Sequence, residues 1–293
     1  MAGSGLPPDD APEPALSGAY PAVPVTPDRL PRVLSIAGSD SGGGAGIQAD
    51  LKAFARCGVH GMTAITAITA QNTVAVTAVL PIPGEVIVEQ VRAVAADIGV
   101  DAVKIGMLGT RETIEAVGEA LDLVGDAPVV LDPVMVAESG ARLLDEDAQE
   151  ALRTQLVPRA AVVTPNVPEA HVLGGTDEGV GGEELLRAVH ALGPRAVVLT
   201  GGHRDEAVDL FFDGERLVEI PGERFDSGAA HGSGCTHSSA LAAHLALGLD
   251  PLDAARAAKA IASEAVRDGM RSVGEGAGPV DVFGLEKRRA RSR

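Results

Sequence analysis

The sequence predicts an α/β fold in which helices cover both faces of a mostly parallel β-sheet. Short apolar runs typical of buried strands alternate with longer segments of helical periodicity along most of the chain. Such units place their strands parallel, because each helix carries the chain back across the sheet. The length of 293 residues suffices for one large domain with a sizeable core.

The first unit reads as a strand, a glycine-rich loop and a helix. Residues 33–36 form an apolar run. Ile47, Leu51 and Phe54 then recur at helical spacing. Gly58 is suited to end this helix. The same patterns predict, in order, a strand at 62–70, a helix at 85–98, a strand at 102–105, a helix at 110–124, a strand at 129–132 and a helix at 148–156.

The rest of the chain continues the alternation and closes with helices. Asp213-Gly214 between two apolar runs is a strong hairpin signal. We expect this hairpin to join segments 207–212 and 216–220. Single strands are predicted at 161–163 and 196–200, and the two closing helices near 236–247 and 251–267.

Composition and charge narrow the classes of function. A net charge of −17 and a pI of about 4.7 argue against a nucleic-acid-binding surface. Cys57 and Cys235 are too few for a disulfide framework, which fits a reducing cytoplasm. No apolar run approaches the roughly 18 residues that span a membrane, and no signal-peptide pattern is visible. We therefore expect a cytoplasmic protein that binds neither nucleic acid nor membrane.

The two ends of the chain differ in composition from the rest. Residues 1–30 are rich in proline and carry acidic residues, so we expect a disordered leader. Residues 31–284 are expected to form a single domain. Residues 285–293 are basic, and we expect them to be a frayed C-terminal tail.

The segment from His231 to His237 predicts an anion-binding turn. Gly232-Ser233-Gly234 leads directly into a helical run, so backbone N–H groups and the helix dipole favour an anion. Cys235 is the first reactive side chain, and a helix N-terminus favours a thiolate. An anion cradle beside a base is what phosphoryl transfer needs. The same pattern also fits a plain helix start with a small buried cysteine.

A second glycine-rich loop, within residues 37–50, follows the first predicted strand. It is not a Walker A loop, because no Gly-Lys-Ser/Thr follows the glycines. Further along the chain, Asp132, Asn166 and Gly201 each lie where a predicted strand ends. Ligands of open α/β sheets bind beyond the carboxyl ends of the strands. These residues therefore predict a site at that edge of the sheet.

A family resemblance rests on these loops and on several further segments. The matching segments are 37–50, 65–73, 104–108, 131–136, 164–170, 201–203 and 231–236. In this order they resemble the hydroxymethylpyrimidine/phosphomethylpyrimidine kinases of thiamine biosynthesis, in the ribokinase-like superfamily. The resemblance implies a three-layer α/β/α sandwich and a homodimer. It also implies phosphorylation of 4-amino-5-hydroxymethyl-2-methylpyrimidine and of its monophosphate, with ATP and Mg²⁺.

The resemblance implies a pocket for the pyrimidine. Gln71 would read the ring, because a carboxamide offers a hydrogen-bond donor and an acceptor. Gly38, Asp50, Met107 and Val134 would line the same pocket. Each polar member also has a structural reading: Gln71 as a strand-end residue that bonds a turn, and Asp50 as an ordinary helix-face carboxylate. Met107 and Val134 could instead be core residues.

The resemblance also implies a metal and nucleotide side. Asn166-Val167-Pro168-Glu169 matches a pattern that acts through water and phosphate in this superfamily. Asp132 and Glu169 would hold Mg²⁺ through water, since Mg²⁺ prefers oxygen ligands and keeps several waters. Asn166 and Glu169 also fit a helix capping box. Gly201 and Lys259 would contact the nucleotide, although Lys259 could be a surface charge.

Cys235 is the implied general base, at a position where the wider superfamily usually has Asp. The amides of Gly232, Ser233 and Gly234 would hold the charge that develops on the transferred phosphate. Glu138 and Thr200 stand where many relatives have Lys. We expect these two departures to disfavour the second phosphorylation more than the first. The alternatives are a pyridoxine or pyridoxal kinase of the same superfamily and a non-catalytic pyrimidine-binding protein.

Overall fold

A computed structural model describes residues 29–177, 179–201, 207–225 and 229–291. The predicted leader lies almost entirely outside these ranges. The strands are β1 (Arg32–Ala37), β2 (His60–Ile65), β3 (Ala67–Gln71), β4 (Val76–Pro81), β5 (Ala102–Ile105), β6 (Val129–Leu131), β7 (Val162–Val163), β8 (Ala196–Leu199), β9 (Asp209–Phe212) and β10 (Leu217–Ile220). The α-helices are α1 (Gly46–Cys57), α2 (Gly84–Asp97), α3 (Arg111–Ala120), α4 (Glu146–Ala151), α5 (Val167–Gly174), α6 (Gly182–His190), α7 (Ser233–Ala246), α8 (Pro251–Arg267) and α9 (Leu285–Arg291).

Eight strands form the main sheet, in the order β10-β9-β8-β7-β6-β5-β1-β2. Strands β2, β1, β5, β6, β7 and β8 are parallel. At one edge of this described sheet β9 runs antiparallel to β8, and the β9–β10 hairpin returns β10 to the direction of the parallel strands. The chain passes from β1 to β2 on one side and later returns to β5 on the other. A crevice therefore opens beyond the carboxyl ends of β1 and β5, where ligands of such sheets bind.

The alternation of side chains along β1 separates the two faces of the sheet. Leu34 and Ile36 pack with helices α2 to α6 in one core cluster. Val33 packs on the opposite face with α1, α7 and α8. The three-layer α/β/α architecture is thereby confirmed. No helix in the described ranges has both the length and the apolar character needed to cross a membrane.

The strand predicted at 62–70 is two strands in different sheets. β2 joins the main sheet, whereas β3 pairs with β4 in a separate antiparallel hairpin. Thr66 marks the change of direction: its N–H donates to the carbonyl of Ala37 at 3.0 Å, and its hydroxyl to the carbonyl of Met107 at 2.7 Å. These bonds tie the junction to the ends of β1 and β5, so the chain leaves the sheet there.

Other elements differ from the predictions in extent or were not predicted. β4 is mostly exposed and lacks the alternation that identifies a half-buried strand. α6 is amphipathic, with Leu185, Leu186 and Val189 buried, but it was not predicted. The predicted helix 148–156 is α4 followed by a π-helical turn, Leu152–Leu156. The segment expected to be a frayed tail contains α9.

Candidate active site

One cavity of about 460 Å³ opens at the carboxyl ends of the parallel strands. It is lined by the loop after β1, the end of β8, the start of β9 and the start of α7. All but one of the predicted site residues line it. These residues are Gly38, Gln71, Met107, Asp132, Val134, Asn166, Glu169, Gly201, Gly232, Ser233, Gly234, Cys235 and Lys259.

The turn at the start of α7 depends on the conformation of Gly232. This residue caps the helix with φ +83°, in the left-handed region that favours glycine. A side chain there would also overlap the carbonyl oxygen of Gly44 in the loop after β1. The Ser233 amide donates to Ala230 at 3.0 Å and so is engaged within the turn. Among the described residues, no backbone partner engages the amide of Gly234, which leaves it the better anion donor.

A carboxylate and an imidazole lock the two glycine loops together. Asp40 accepts hydrogen bonds from the amides of Gly42, Gly44 and Ala45 at 2.8–2.9 Å. Its Oδ2 also lies 3.1 Å from Nε2 of His231. Burial raises the pKa of Asp40, but these bonds outweigh it and hold the pKa below its usual value. Sequence reasoning missed this pair, although Asp followed by Ser-Gly is a typical turn signal.

Cys235 is half-buried at the first turn of α7. Burial, together with the nearby carboxylates of Asp50 and Asp132, raises the pKa of its thiol to about 12. The ammonium group of Lys104 and the amide of Gly46 act in the opposite direction but do not compensate. The expectation that the helix N-terminus favours the thiolate is therefore wrong for the protein alone. The group is a thiol at neutral pH.

Asp50 does not line the cavity, so the predicted contact with the pyrimidine is wrong. Its side chain is fully buried and pairs with Lys104, whose Nζ lies 2.9 Å from Oδ1. The hydroxyls of Ser35 and Ser239 donate to the same carboxylate at 2.6 and 2.7 Å. The local sequence pattern around a helix-face carboxylate is the same whether the side chain faces a pocket or a buried cation. Ser239 links the buried pair to α7, and Lys104 is also among the residues that line the cavity.

Asp132 and Glu169 are two buried carboxylates that influence each other. Burial and the charge of Asp132 raise the pKa of Glu169 to about 8. Burial also raises the pKa of Asp132, while Lys104 and the hydroxyl of Ser238, which donates at 2.9 Å, oppose the shift. Glu169 and Asn166 form a complete capping box at the start of α5.

This pair fits a magnesium ion that is bound largely through water. Two crowded carboxylates favour a divalent cation, which would relieve their repulsion. Among the described residues, no three His, Cys, Asp or Glu side chains converge as a metal cage. A site with few protein ligands is what Mg²⁺ uses when phosphate and water complete its coordination.

The end of the cavity nearest β1 and β5 is the more suitable for a heterocycle. Gly38 faces Met107, and a Cβ on Gly38 would come within 3.1 Å of the Met107 sulfur. Gln71 ends β3, and its backbone N–H donates to the hydroxyl oxygen of Ser41 at 2.8 Å. The Gln71 carboxamide oxygen accepts only a long hydrogen bond, 3.3 Å, from Thr69. The amide group therefore keeps hydrogen-bonding capacity toward the cavity.

At the opposite end, Asp209 organises the residues expected to meet the nucleotide. Its Oδ1 accepts the amide of Gly201 at 2.8 Å and the ammonium group of Lys259 at 2.7 Å. Lys259 is thus neither a surface charge nor a free cation. Sequence reasoning missed Asp209, which was predicted only as part of a hairpin strand. Gly202 and His203 of the matching segment lie outside the described residues.

Comparisons with known proteins identify the family. The family model for phosphomethylpyrimidine kinase matches residues 40–281. The hydroxymethylpyrimidine/phosphomethylpyrimidine kinase of Rhizobium meliloti (strain 1021) is 50% identical over 256 residues, covering 85% of this chain and 96% of that protein.

Solved structures show the same fold. Phosphomethylpyrimidine kinase from Clostridium difficile 630 is 41% identical with a TM-score of 0.71, covering 80% of this chain and 99% of that one. Pyridoxal kinase from Staphylococcus aureus, in complex with AMP-PCP and pyridoxal, is 36% identical with a TM-score of 0.80, covering 88% and 96%. The resemblance found in the sequence is confirmed: this chain is a phosphotransferase that belongs to the phosphomethylpyrimidine kinase family.

Proposed function

We propose that the protein transfers the γ-phosphate of ATP, with Mg²⁺, to 4-amino-5-hydroxymethyl-2-methylpyrimidine and then to its monophosphate. The observation that carries the proposal is that Gln71 and Met107, the Cys235 turn and the Asp132–Glu169 pair all line the same cavity. The name of the Rhizobium relative supports the acceptor. The AMP-PCP complex of the Staphylococcus pyridoxal kinase supports an adenine nucleotide as donor.

In the first step, Cys235 acts as the general base. Its thiolate takes the proton of the hydroxymethyl group as the acceptor oxygen bonds to the γ-phosphorus and the bond to the β-phosphate oxygen breaks. Lys104 stabilises this thiolate, and the amide of Gly234 hydrogen-bonds to the transferred group. When bound, Mg²⁺ supplies positive charge to the phosphates and to Asp132 and Glu169. Less negative charge on Asp132 lowers the pKa of Cys235, since that carboxylate is one cause of its elevation.

Two residues that line the cavity disfavour the second step. The exposed Glu138 lines the cavity, and its negative charge opposes a phosphorylated acceptor. Thr200 lines it too and supplies no positive charge. We expect the monophosphate to react with a lower kcat/KM than the hydroxymethyl compound, and Glu138→Lys to reduce that difference.

The decisive experiment is phosphate transfer from Mg-ATP with the products resolved by mass. The hydroxymethylpyrimidine, its monophosphate and pyridoxine are offered side by side. Mono- and diphosphate of the pyrimidine support the full proposal. Monophosphate alone restricts it to the first step. No transfer to any acceptor would contradict the kinase and favour a non-catalytic pyrimidine-binding protein.

A vitamin B6 kinase is the second candidate, favoured by one specific observation. The Staphylococcus pyridoxal kinase with pyridoxal has a TM-score of 0.80, against 0.71 for the phosphomethylpyrimidine kinase from Clostridium difficile. A six-membered heterocycle with a hydroxymethyl group fits the same pocket end. Higher kcat/KM for pyridoxine or pyridoxal than for the pyrimidine would replace the acceptor in our proposal.

We also propose that the protein is a homodimer of the cytoplasm. The β3–β4 hairpin exposes apolar side chains at Ile68, Val74, Val79 and Leu80, with Leu80 64% exposed. Ile68 and Leu80 are direct cross-strand partners, and an exposed apolar pair of this kind favours association. Light scattering is expected to give a dimer mass, and Leu80→Glu to shift it toward a monomer. Both cysteines are free, which fits a reducing compartment.

A further inference from the structure

His237 is a buried polar side chain that the mechanism above does not use. It lies in α7, two residues after Cys235, is 4% exposed and lines the cavity. Among the described residues, neither of its ring nitrogens has a hydrogen-bond partner. A buried polar group without a partner costs stability, so such a group in a cavity wall points to a ligand.

Asp209 stands opposite this ring. Its Oδ1 is engaged by Gly201 and Lys259, whereas its Oδ2 lies 3.6 Å from Nε2 of His237. That separation is too long for a direct hydrogen bond. It does allow one hydroxyl group to donate to the carboxylate and accept from the imidazole at the same time.

The charges at this place favour a hydroxyl over a phosphate. Burial lowers the pKa of His237 and outweighs the charge of Asp209, which raises it; Lys259 also lowers it, so the ring is neutral at physiological pH. The charge of Lys259 is already matched by Asp209. A neutral imidazole beside a carboxylate offers a phosphate no net positive charge. A carboxylate is, by contrast, a common acceptor for the hydroxyls of a ribose.

The pair lies at the end of the cavity that is expected to meet the nucleotide. Asp209 also holds the amide of Gly201 and the ammonium group of Lys259, the two residues expected to contact it. The anion-binding turn, where the phosphates would bind, is only about one helical turn from His237 along α7. A sugar attached to those phosphates can therefore reach His237 and Asp209.

We propose that His237 and Asp209 together bind a ribose hydroxyl of the nucleotide and so make the enzyme selective for ribonucleotides. The inference rests on the proposed use of ATP, but it concerns a different contact from the phosphate and acceptor sites. His237 is a binding residue here and takes no part in proton transfer.

The test is calorimetric binding of ADP, 2′-deoxy-ADP and 3′-deoxy-ADP to the full chain. We expect the wild type to bind one of the deoxynucleotides about tenfold more weakly than ADP, the loss typical of one hydrogen bond to a charged group. His237→Leu is expected to weaken ADP binding to the same extent and to remove the discrimination. His244→Leu is the matched control, since His244 lies on the same helix outside the cavity.

Two results would overturn the proposal. One is equal affinity of the wild type for all three nucleotides, which needs no variant to fold. The other is a folded His237→Leu protein that still discriminates; His237→Gln serves instead if the leucine variant has a much lower Tm. The binding measurement needs no acceptor, so it tests the ribose contact separately from phosphate transfer. Discrimination without transfer to any pyrimidine would support the ribose contact alone, and no binding of any nucleotide would overturn both.

Discussion

At the scale of single residues, Cys235 illustrates how surroundings decide reactivity. Its position at a helix N-terminus favours the thiolate, but burial and two carboxylates raise the pKa to about 12. Lys104 is the buried cation that opposes them. The thiol is therefore kept neutral in the protein alone, and the thiolate becomes more accessible when the negative charge of Asp132 is reduced.

Cys235→Ala is expected to lower kcat for the hydroxymethyl acceptor by about 10²–10⁴-fold, the usual contribution of a general base. The loss on the monophosphate acceptor should be smaller, because its attacking phosphate oxygen already lacks a proton. Steady-state kinetics on both acceptors measure the difference. Cys57→Ala is the control, since Cys57 does not line the cavity. Near-normal kcat in Cys235→Ala would rule out the base role.

Glu169→Gln separates the metal role of this residue from its structural role. Glutamine can also accept the amide hydrogen bond of the capping box, so α5 and the Tm should be retained. The lost carboxylate is expected to reduce activity at limiting Mg²⁺ by about 10–100-fold, the usual cost of weakening a metal site. Rates measured across a Mg²⁺ titration test this, and an unchanged Mg²⁺ dependence would contradict it.

The raised pKa of Glu169 also predicts a pH dependence of stability. Its pKa of about 8 lies above the ordinary value of 4.5, so the folded state holds this proton more tightly than the unfolded state. The stabilisation that this proton gives the folded state is fully present below pH 4.5 and is lost as the pH rises through about 8. Urea unfolding should show wild type losing stability relative to Glu169→Gln over that interval; parallel curves would argue against the shift.

At the scale of elements, the start of α7 requires glycine for two reasons at one position. Gly232 has a left-handed φ of +83° and touches the loop after β1. His231 and Asp40 hold the same two loops together from the side. The geometry of this turn therefore depends on a contact between segments that are far apart in sequence.

Gly232→Ala and Gly234→Ala form a matched pair that tests this contact. Alanine at 232 meets the left-handed backbone penalty of about 1–2 kcal/mol, in addition to its overlap with Gly44. Alanine at 234 meets no atom within 4 Å and has an ordinary helical backbone. We expect a lower Tm and lost activity only for the first. Equal behaviour of the two variants would show that the loop contact is unimportant.

Element prediction succeeded where periodicity was strong. The parallel strands and α7 and α8 were expected near their observed positions, although α7 begins at Ser233 rather than near 236. β3 and β4 were not recognised as a hairpin, because β4 is exposed and shows no alternation. The break at Thr66 depends on bonds to Ala37 and Met107, which a local reading of sequence cannot contain.

At the scale of the whole molecule, a buried ion pair joins the sheet to the helical layer. Asp50 on α1 and Lys104 on β5 are both fully buried, and Ser35 and Ser239 complete the hydrogen bonds of the carboxylate. The pair thus connects the two strands at the crevice with the two helices over it. Removing one member would leave an uncompensated charge in the core.

Asp50→Ala is expected to cost about 3–5 kcal/mol of unfolding free energy, the usual effect of breaking a buried pair. The double variant Asp50→Ala/Lys104→Met should recover much of that loss, because no isolated charge remains. Arg92→Ala breaks the exposed pair with Glu89 and should cost about 0–1 kcal/mol. Urea unfolding of the three variants provides the comparison; similar losses for Asp50→Ala and Arg92→Ala would refute the prediction.

The sequence by itself determined the fold class, the family and most of the residues around the cavity. These follow from local patterns: apolar periodicity, glycine turns and motifs at strand ends. Only the tertiary structure decided that Asp50 pairs with Lys104 instead of facing the pocket, that Asp209 holds Lys259, and that the thiol of Cys235 is neutral. The physical reason is that burial and charge pairing depend on which distant segments come together, and local sequence patterns do not encode those contacts.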